Sequence, residues 1–95
     1  MTKNWKTAKI KRLAKALCSV TQEKDMLSFM RDLCTIEEMG EMGNRWEAVQ
    51  ILGQGKSYRE IASKTGMSTT TVTRIAHWLK HGEGGYSTAL KKKKN

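Results

Sequence analysis

The sequence contains no proline and only two cysteines in its 95 residues. Without proline nothing brings the ring clash and missing N–H that break a helix interior. Cys18 and Cys34 form no Cys-x-x-Cys pair, and His77 and His81 lie far from both along the chain. That excludes the usual zinc spacings and a disulfide framework, and leaves two thiols packed as small apolar residues. Aromatic residues are too few and too scattered to form a base-stacking platform; Trp46 and Trp78 read as packed, which argues against an RNA-binding module. No apolar run approaches the roughly 20 residues that cross a bilayer. The start, Met1-Thr2-Lys3-Asn4-Trp5, has no apolar signal core behind it, so a cytoplasmic protein with no membrane partner is expected.

Acidic residues are scarce as well: 9 against 18 basic ones, for a net charge of +9. Their placement carries more information than the total. The first twenty residues hold Lys3, Lys6, Lys9, Lys11, Arg12 and Lys15 and no acid, whereas residues 21–50 are net negative. From Lys56 to Gly82 the chain is positive again, with Lys56, Arg59, Lys64, Arg74 and Lys80 against Glu60 alone. A basic C-terminal half beside an acidic middle is the electrostatic footprint expected for a polyanion. The run Lys91 to Lys94 reads as a solvated, irregular end that adds affinity for phosphates irrespective of base sequence.

Catalytic patterns are missing. There is no glycine-rich phosphate loop, no nucleophile–base pair and no acid/base constellation; Glu37, Glu38 and Glu41 are spaced like an exposed helix face. His77 and His81 stand one helical turn apart, but no Glu follows the first and no third ligand is near, so they read as surface residues. The chain is therefore expected to be no enzyme, with neither metal nor cofactor.

What is present is helical periodicity. Apolar residues recur at intervals of three and four with almost no alternation, which implies an all-α fold of about six helices. A first helix over about Trp5 to Cys18 has the stripe Ile10, Leu13, Ala14 and Leu17. Thr21 is placed to cap a second, roughly Gln22 to Leu33, with Met26, Phe29, Met30 and Leu33 on one face. Thr35-Ile36-Glu37-Glu38 has capping-box spacing; it opens a short third helix expected to end near Gly40 or Gly43. Asn44 then caps a fourth, Arg45 to Gln54, with Trp46, Val49 and Leu52 inward.

Ser57-Tyr58-Arg59-Glu60 is a second capping box, opening a helix over Tyr58 to Lys64. Gly66 breaks it, Ser68 opens the next over about Thr69 to Lys80, and Gly82 closes that one. Two turns of helix, a glycine turn and a longer helix form a helix-turn-helix. Ile61 and the small Ala62 face inward on the first helix, Val72 and Ile75 on the second. The outer face of the second carries Ser68, Thr69, Thr70, Thr73, Arg74 and His77, mostly short side chains that can approach base edges, phosphates and thymine methyls. With Lys56, Ser57, Tyr58 and Arg59 at the opening of the first helix, these are the candidate DNA contacts. A merely solvated helix face would favour Glu, Lys or Ala over three consecutive threonines, which are mediocre helix formers.

The stretch Gly55-Lys56-Ser57-Tyr58-Arg59-Glu60-Ile61-Ala62, the run Ser68-Thr69-Thr70-Thr71-Val72-Thr73-Arg74 and the ending His81-Gly82-Glu83-Gly84-Gly85-Tyr86 together resemble the Trp-repressor-related YerC/YecD family. The resemblance covers about Leu33 to Tyr86. It implies an intertwined, all-helical homodimer whose N-terminal helices interlock, with two recognition helices set in successive major grooves. The division it suggests is a dimerisation region over 1–54, a DNA-binding region over 55–82, and a glycine-rich end with a basic tail over 83–95, all within one domain. It also implies an effector pocket at Thr35, Arg45 and Arg74. Ile75 and Trp78 stand where the Trp repressor has a glycine and a serine, and they are expected to fill the space an indole would take. L-tryptophan is thus not expected as co-repressor. The resulting expectation is a homodimeric transcriptional regulator, a repressor, binding double-stranded DNA. The alternatives are a helix-turn-helix serving an initiator, a transposase or a sigma-like factor, and a tryptophan-dependent repressor.

Overall fold

The structure, a computed structural model, describes residues 4–93. Those residues contain six helices and no strand: α1 (Ala8–Ser19), α2 (Glu23–Leu33), α3 (Ile36–Gly53), α4 (Tyr58–Thr65), α5 (Thr69–His81) and α6 (Gly85–Lys93). The all-α expectation and the helix count hold, although two of the six are not the helices the sequence suggests. The chain divides into two compact units, Met1–Met39 and Gly40–Asn95.

In the first unit α1 begins three residues later than expected. Thr7 is extended, and its hydroxyl accepts from the Ile10 N–H at 3.2 Å, satisfying a donor left free by the helix start. The cap of α2 is Gln22, not Thr21, and it makes no side-chain capping bond. Glu23 and Asp25 in the first turn suit the positive end of the helix dipole instead. Arg31 closes the other end, donating to the Cys34 carbonyl at 3.1 Å. Neither α1 nor α2 has a buried residue. Ile10 and Leu13 are both 40% exposed, Leu27 53% and Leu33 47%. Both cysteines are free, but Cys18 is exposed and does not pack as an apolar residue.

The Thr35–Glu38 capping box forms in both directions: Glu38 N–H donates to Thr35 Oγ1 at 3.0 Å, and Thr35 N–H to Glu38 Oε1 at 2.8 Å. The helix it opens does not stop at Gly40 or Gly43. It runs unbroken to Gly53, merging the expected third and fourth helices. Glycine permits a left-handed backbone without requiring it, and in a helix it costs only about 1 kcal/mol relative to alanine. Ala48, Val49 and Ile51 are buried further along, and one such side chain contributes about 1.5–3 kcal/mol when fully buried. The glycines that do turn the chain are Gly55, at φ +79°, after α3, Gly66, at φ +78°, after α4, and Gly84, at φ +85°, before α6.

The core lies in the second unit. Val49, Ile61, Val72 and Ile75 are its largest fully buried side chains, joined by Ala48 and Ile51. Trp46, Ala62, Met67 and Leu79 pack around them. α4 packs on α5 and α5 on α6. α6 was not expected; residues 85–93 read as an irregular glycine and lysine tail, yet they are helical. Tyr86 and Leu90, one turn apart, both pack on the core, and that burial outweighs the poor helix propensity of the segment's start.

Candidate nucleic-acid interface

α4, the turn and α5 are built as the sequence predicts. Ser57 Oγ accepts from the Glu60 N–H at 3.1 Å, opening α4. Gly66 ends it in the left-handed conformation, its N–H donating to the Ala62 carbonyl at 2.9 Å. Ser68 Oγ accepts from the Thr71 N–H at 3.1 Å and pairs with Thr71 Oγ1 at 3.0 Å, opening α5. Val72, Ile75 and Ala76 are buried on α5 and Ile61 on α4, so the inner faces lock the two helices together.

The opposite face of α5 is open to solvent. Thr69, Thr70, Thr73, Arg74 and His77 are all exposed, as are Lys56, Tyr58 and Arg59 before and within the first turn of α4. The hydroxyls differ in what they have left to offer. Ser57 and Ser68 accept backbone N–H groups as caps, and Ser57 keeps its hydroxyl proton to donate. Thr73 Oγ1 donates to the Thr69 carbonyl at 2.9 Å, leaving its acceptor lone pairs and its methyl group. Thr70 makes no side-chain hydrogen bond among the described residues, so both donor and acceptor remain available. Lys64 is engaged with Glu60 at 3.5 Å in an exposed pair one turn apart, an arrangement that contributes little to stability. At the N-termini of α4 and α5, the backbone N–H groups not taken by the serine caps and the positive ends of two dipoles suit phosphate oxygens. His77 and His81 sit with ring centroids 5.0 Å apart. No group of three or more His, Cys, Asp or Glu side chains that could hold a metal occurs among the described residues.

Beside this face is a cavity of about 320 Å³ lined by Glu41, Asn44 and Arg45 of α3, Met67 of the turn, and Thr71, Arg74, Ile75 and Trp78 of α5. It brings Arg45, Arg74, Ile75 and Trp78 together as the resemblance implies. Thr35, in the other unit, is engaged as the α3 cap. Ile75 and Trp78 line the cavity together with the two arginines. Ile75 is fully buried and forms part of the wall, but Trp78 is 46% exposed. Trp78 is not the packed residue the sequence suggests: it separates this cavity from a larger, open one of about 640 Å³ that it shares with His81, Gly82, Glu83, Gly85 and Tyr86. Sequence reasoning missed Glu41, Asn44, Met67 and Thr71. The signal for the first two was their spacing: positions 41, 44 and 45 share one face only when the helix continues through Gly43.

Comparison with known proteins agrees with this geometry. A family model described as Trp repressor protein matches residues 8–94. The uncharacterized protein YerC of Bacillus subtilis (strain 168) is 33% identical over 79 residues, covering 83% of this chain and 76% of that one. The crystal structure of a TrpR like protein from Eubacterium eligens ATCC 27750 superposes with a TM-score of 0.86 at 32% identity, over 92% of this chain and 90% of the other. A second crystal structure, from Staphylococcus aureus, gives a TM-score of 0.87 at 26% identity, over 94% and 89% of the two chains.

Proposed function

The chain belongs to the Trp repressor protein family, and on that premise we propose that it is a sequence-specific DNA-binding regulator of transcription. It acts as a repressor in the cytoplasm, as a homodimer that sets α5 of each copy in the major groove. The observation that carries this reading is the two-sidedness of α5. One face is fully buried against α4, while the other presents exposed Thr69, Thr70, Thr73, Arg74 and His77 beside a cluster of basic side chains. Thr70 and Thr73 meet base edges; Lys56, Tyr58 and Arg59, with the α4 N-terminus, meet phosphates and set the register. The exposed apolar side chains of α1 and α2 support dimerisation, because a chain this small buries too little alone.

A tryptophan-dependent repressor is the second reading, favoured by the open cavity between Arg45 and Arg74. Against it, two of the walls are Ile75 and Trp78, where the Trp repressor has a glycine and a serine, so DNA binding without free L-tryptophan is the reading preferred here. Among the described residues no helix is long and apolar enough to cross a membrane.

The deciding experiment is selection of bound duplexes from a random pool by the purified, ligand-free protein. Enrichment of two-fold symmetric half-sites is the expected result. Recovery of an unenriched pool, or enrichment only after L-tryptophan is added, refutes the respective part of the proposal.

A further inference from the structure

The sequence motif that the recognition unit leaves unexplained is the lysine run, and α6 changes its meaning. Leu90 packs on the core, and its two methyl groups lie 3.7 and 3.9 Å from the position a Cβ would take on Gly53. Lys91 and Lys92 follow immediately, both exposed and both still within the helix. Gly53 is the last residue of α3. Three residues later comes Lys56, at most roughly 11 Å of extended chain away, and the actual path is tighter. The Gly55 N–H donates back to the Leu52 carbonyl at 3.0 Å. The basic end of α6 thus starts at the end of α3, three residues along the chain from Lys56 at the opening of α4, with no acidic residue between Gly84 and Lys92 to offset it.

We propose that Lys91 and Lys92 form a second, sequence-independent contact with the DNA backbone, gripping phosphates that flank the bases read by α5. The inference rests on the DNA-binding reading above and extends it outward along the duplex. Holding the lysines on a packed helix makes this contact different from that of a disordered tail. Tyr86 and Leu90 have already fixed the backbone during folding, so binding orders only two side chains. The competing role is local: lysines in the last turn of a helix interact favourably with its negative dipole end, and that role requires no DNA.

The test uses the full chain and the duplex enriched by selection, comparing the parent with the double variants K91Q/K92Q and K91R/K92R. Each phosphate contact contributes about −0.9 to the slope of log affinity against log salt. Between 50 and 200 mM salt, two contacts amount to about 12-fold in affinity per chain, or about 150-fold for two copies on one site. K91Q/K92Q should lose that much less affinity across the salt range than the parent, with its base preference unchanged. K91R/K92R should match the parent. Trimming the duplex to the bases read by α5 should abolish the difference between parent and K91Q/K92Q. Circular dichroism checks that α6 stays helical.

A salt slope unchanged by K91Q/K92Q while helicity falls assigns the lysines to the helix dipole and overturns the proposal. So does a difference that survives trimming. The two readings fail separately. A parent that selects half-sites but shows no lysine-dependent slope keeps the regulator and loses the α6 contact. A parent that binds all duplexes alike with a lysine-dependent slope keeps the contact and loses sequence-specific regulation. No binding to any duplex sinks both.

Discussion

Replacing Gly66 by alanine isolates the conformational cost of the turn between α4 and α5. Gly66 has φ +78°, and a Cβ built there meets nothing within 4 Å. The penalty is therefore one of backbone geometry alone, about 1–2 kcal/mol for an L-residue held left-handed. Alanine also narrows the unfolded ensemble, which returns about 0.4–1 kcal/mol. The net loss should be about 1 kcal/mol, or roughly 4–8 °C in Tm for a chain of this size. Gly66→Asn should lose less, since asparagine tolerates the left-handed region better than alanine does. Gly82 supplies the contrast. Its φ is −82°, an ordinary value, but an added Cβ would strike the Trp78 carbonyl oxygen. There asparagine should be no better than alanine. Thermal and urea denaturation followed by circular dichroism, at one fixed protein concentration, measures all four variants. A loss above about 3 kcal/mol for Gly66→Ala, in the range of a core truncation, would show the turn to be sterically crowded and refute the reasoning. Equal losses for Gly66→Ala and Gly66→Asn would refute it too.

Removing the α5 cap with Ser68→Ala should cost about 1 kcal/mol, and Ser68→Asp should restore most of it; equilibrium unfolding in urea distinguishes the two. Thr70→Ala and Thr73→Ala should change which half-sites are selected from a random pool, whereas Lys56→Ala should weaken all sequences alike, because phosphate contacts carry no direct sequence information. Identical preference profiles for all three variants would remove the assignment of α5 to base reading. Sedimentation at micromolar concentration should show a dimer, and a folded, stable monomer would contradict it. Calorimetry with free L-tryptophan should show no binding that tightens the DNA complex; stoichiometric binding with tighter DNA association would reverse the preference between the two readings.

The helix-turn-helix was legible in the sequence because each of its boundaries has a chemical signature. Ser57 and Ser68 cap, Gly66 turns, and Ile61, Val72 and Ile75 mark the inner faces at helical spacing; the structure agrees at every one. The errors have one source. Gly40, Gly43 and Gly85 look like interruptions, yet all three lie within helices, since glycine takes negative φ as readily as positive; Gly84, at φ +85°, does turn the chain just before α6. α3 runs through both glycines into a segment where Ala48, Val49 and Ile51 are buried, and α6 carries Tyr86 and Leu90 onto the core. Both are tertiary facts that no local pattern announces. The cavity by Arg45 was obscured for the same reason, since breaking the helix at Gly43 separates Glu41 from Asn44 and Arg45. Trp78 misled differently. Its size suggested burial, whereas its position leaves nearly half its surface outside.

That exposure makes the protein its own optical instrument. The three tryptophans occupy three different surroundings: Trp5 is exposed with the Lys6 ammonium 5.5 Å from its ring, Trp46 is partly buried at the core edge, and Trp78 forms a wall of both cavities. An indole half in water emits at longer wavelength than one enclosed, so covering Trp78 shifts its light while Trp46 reports only on the integrity of the core. With Trp5 changed to Phe, two signals remain, one for folding and one for occupancy of the space around the recognition helix. Titrations of DNA, of small molecules or of the protein against itself can then be followed without attaching any dye, at concentrations set by the fluorescence of the chain itself.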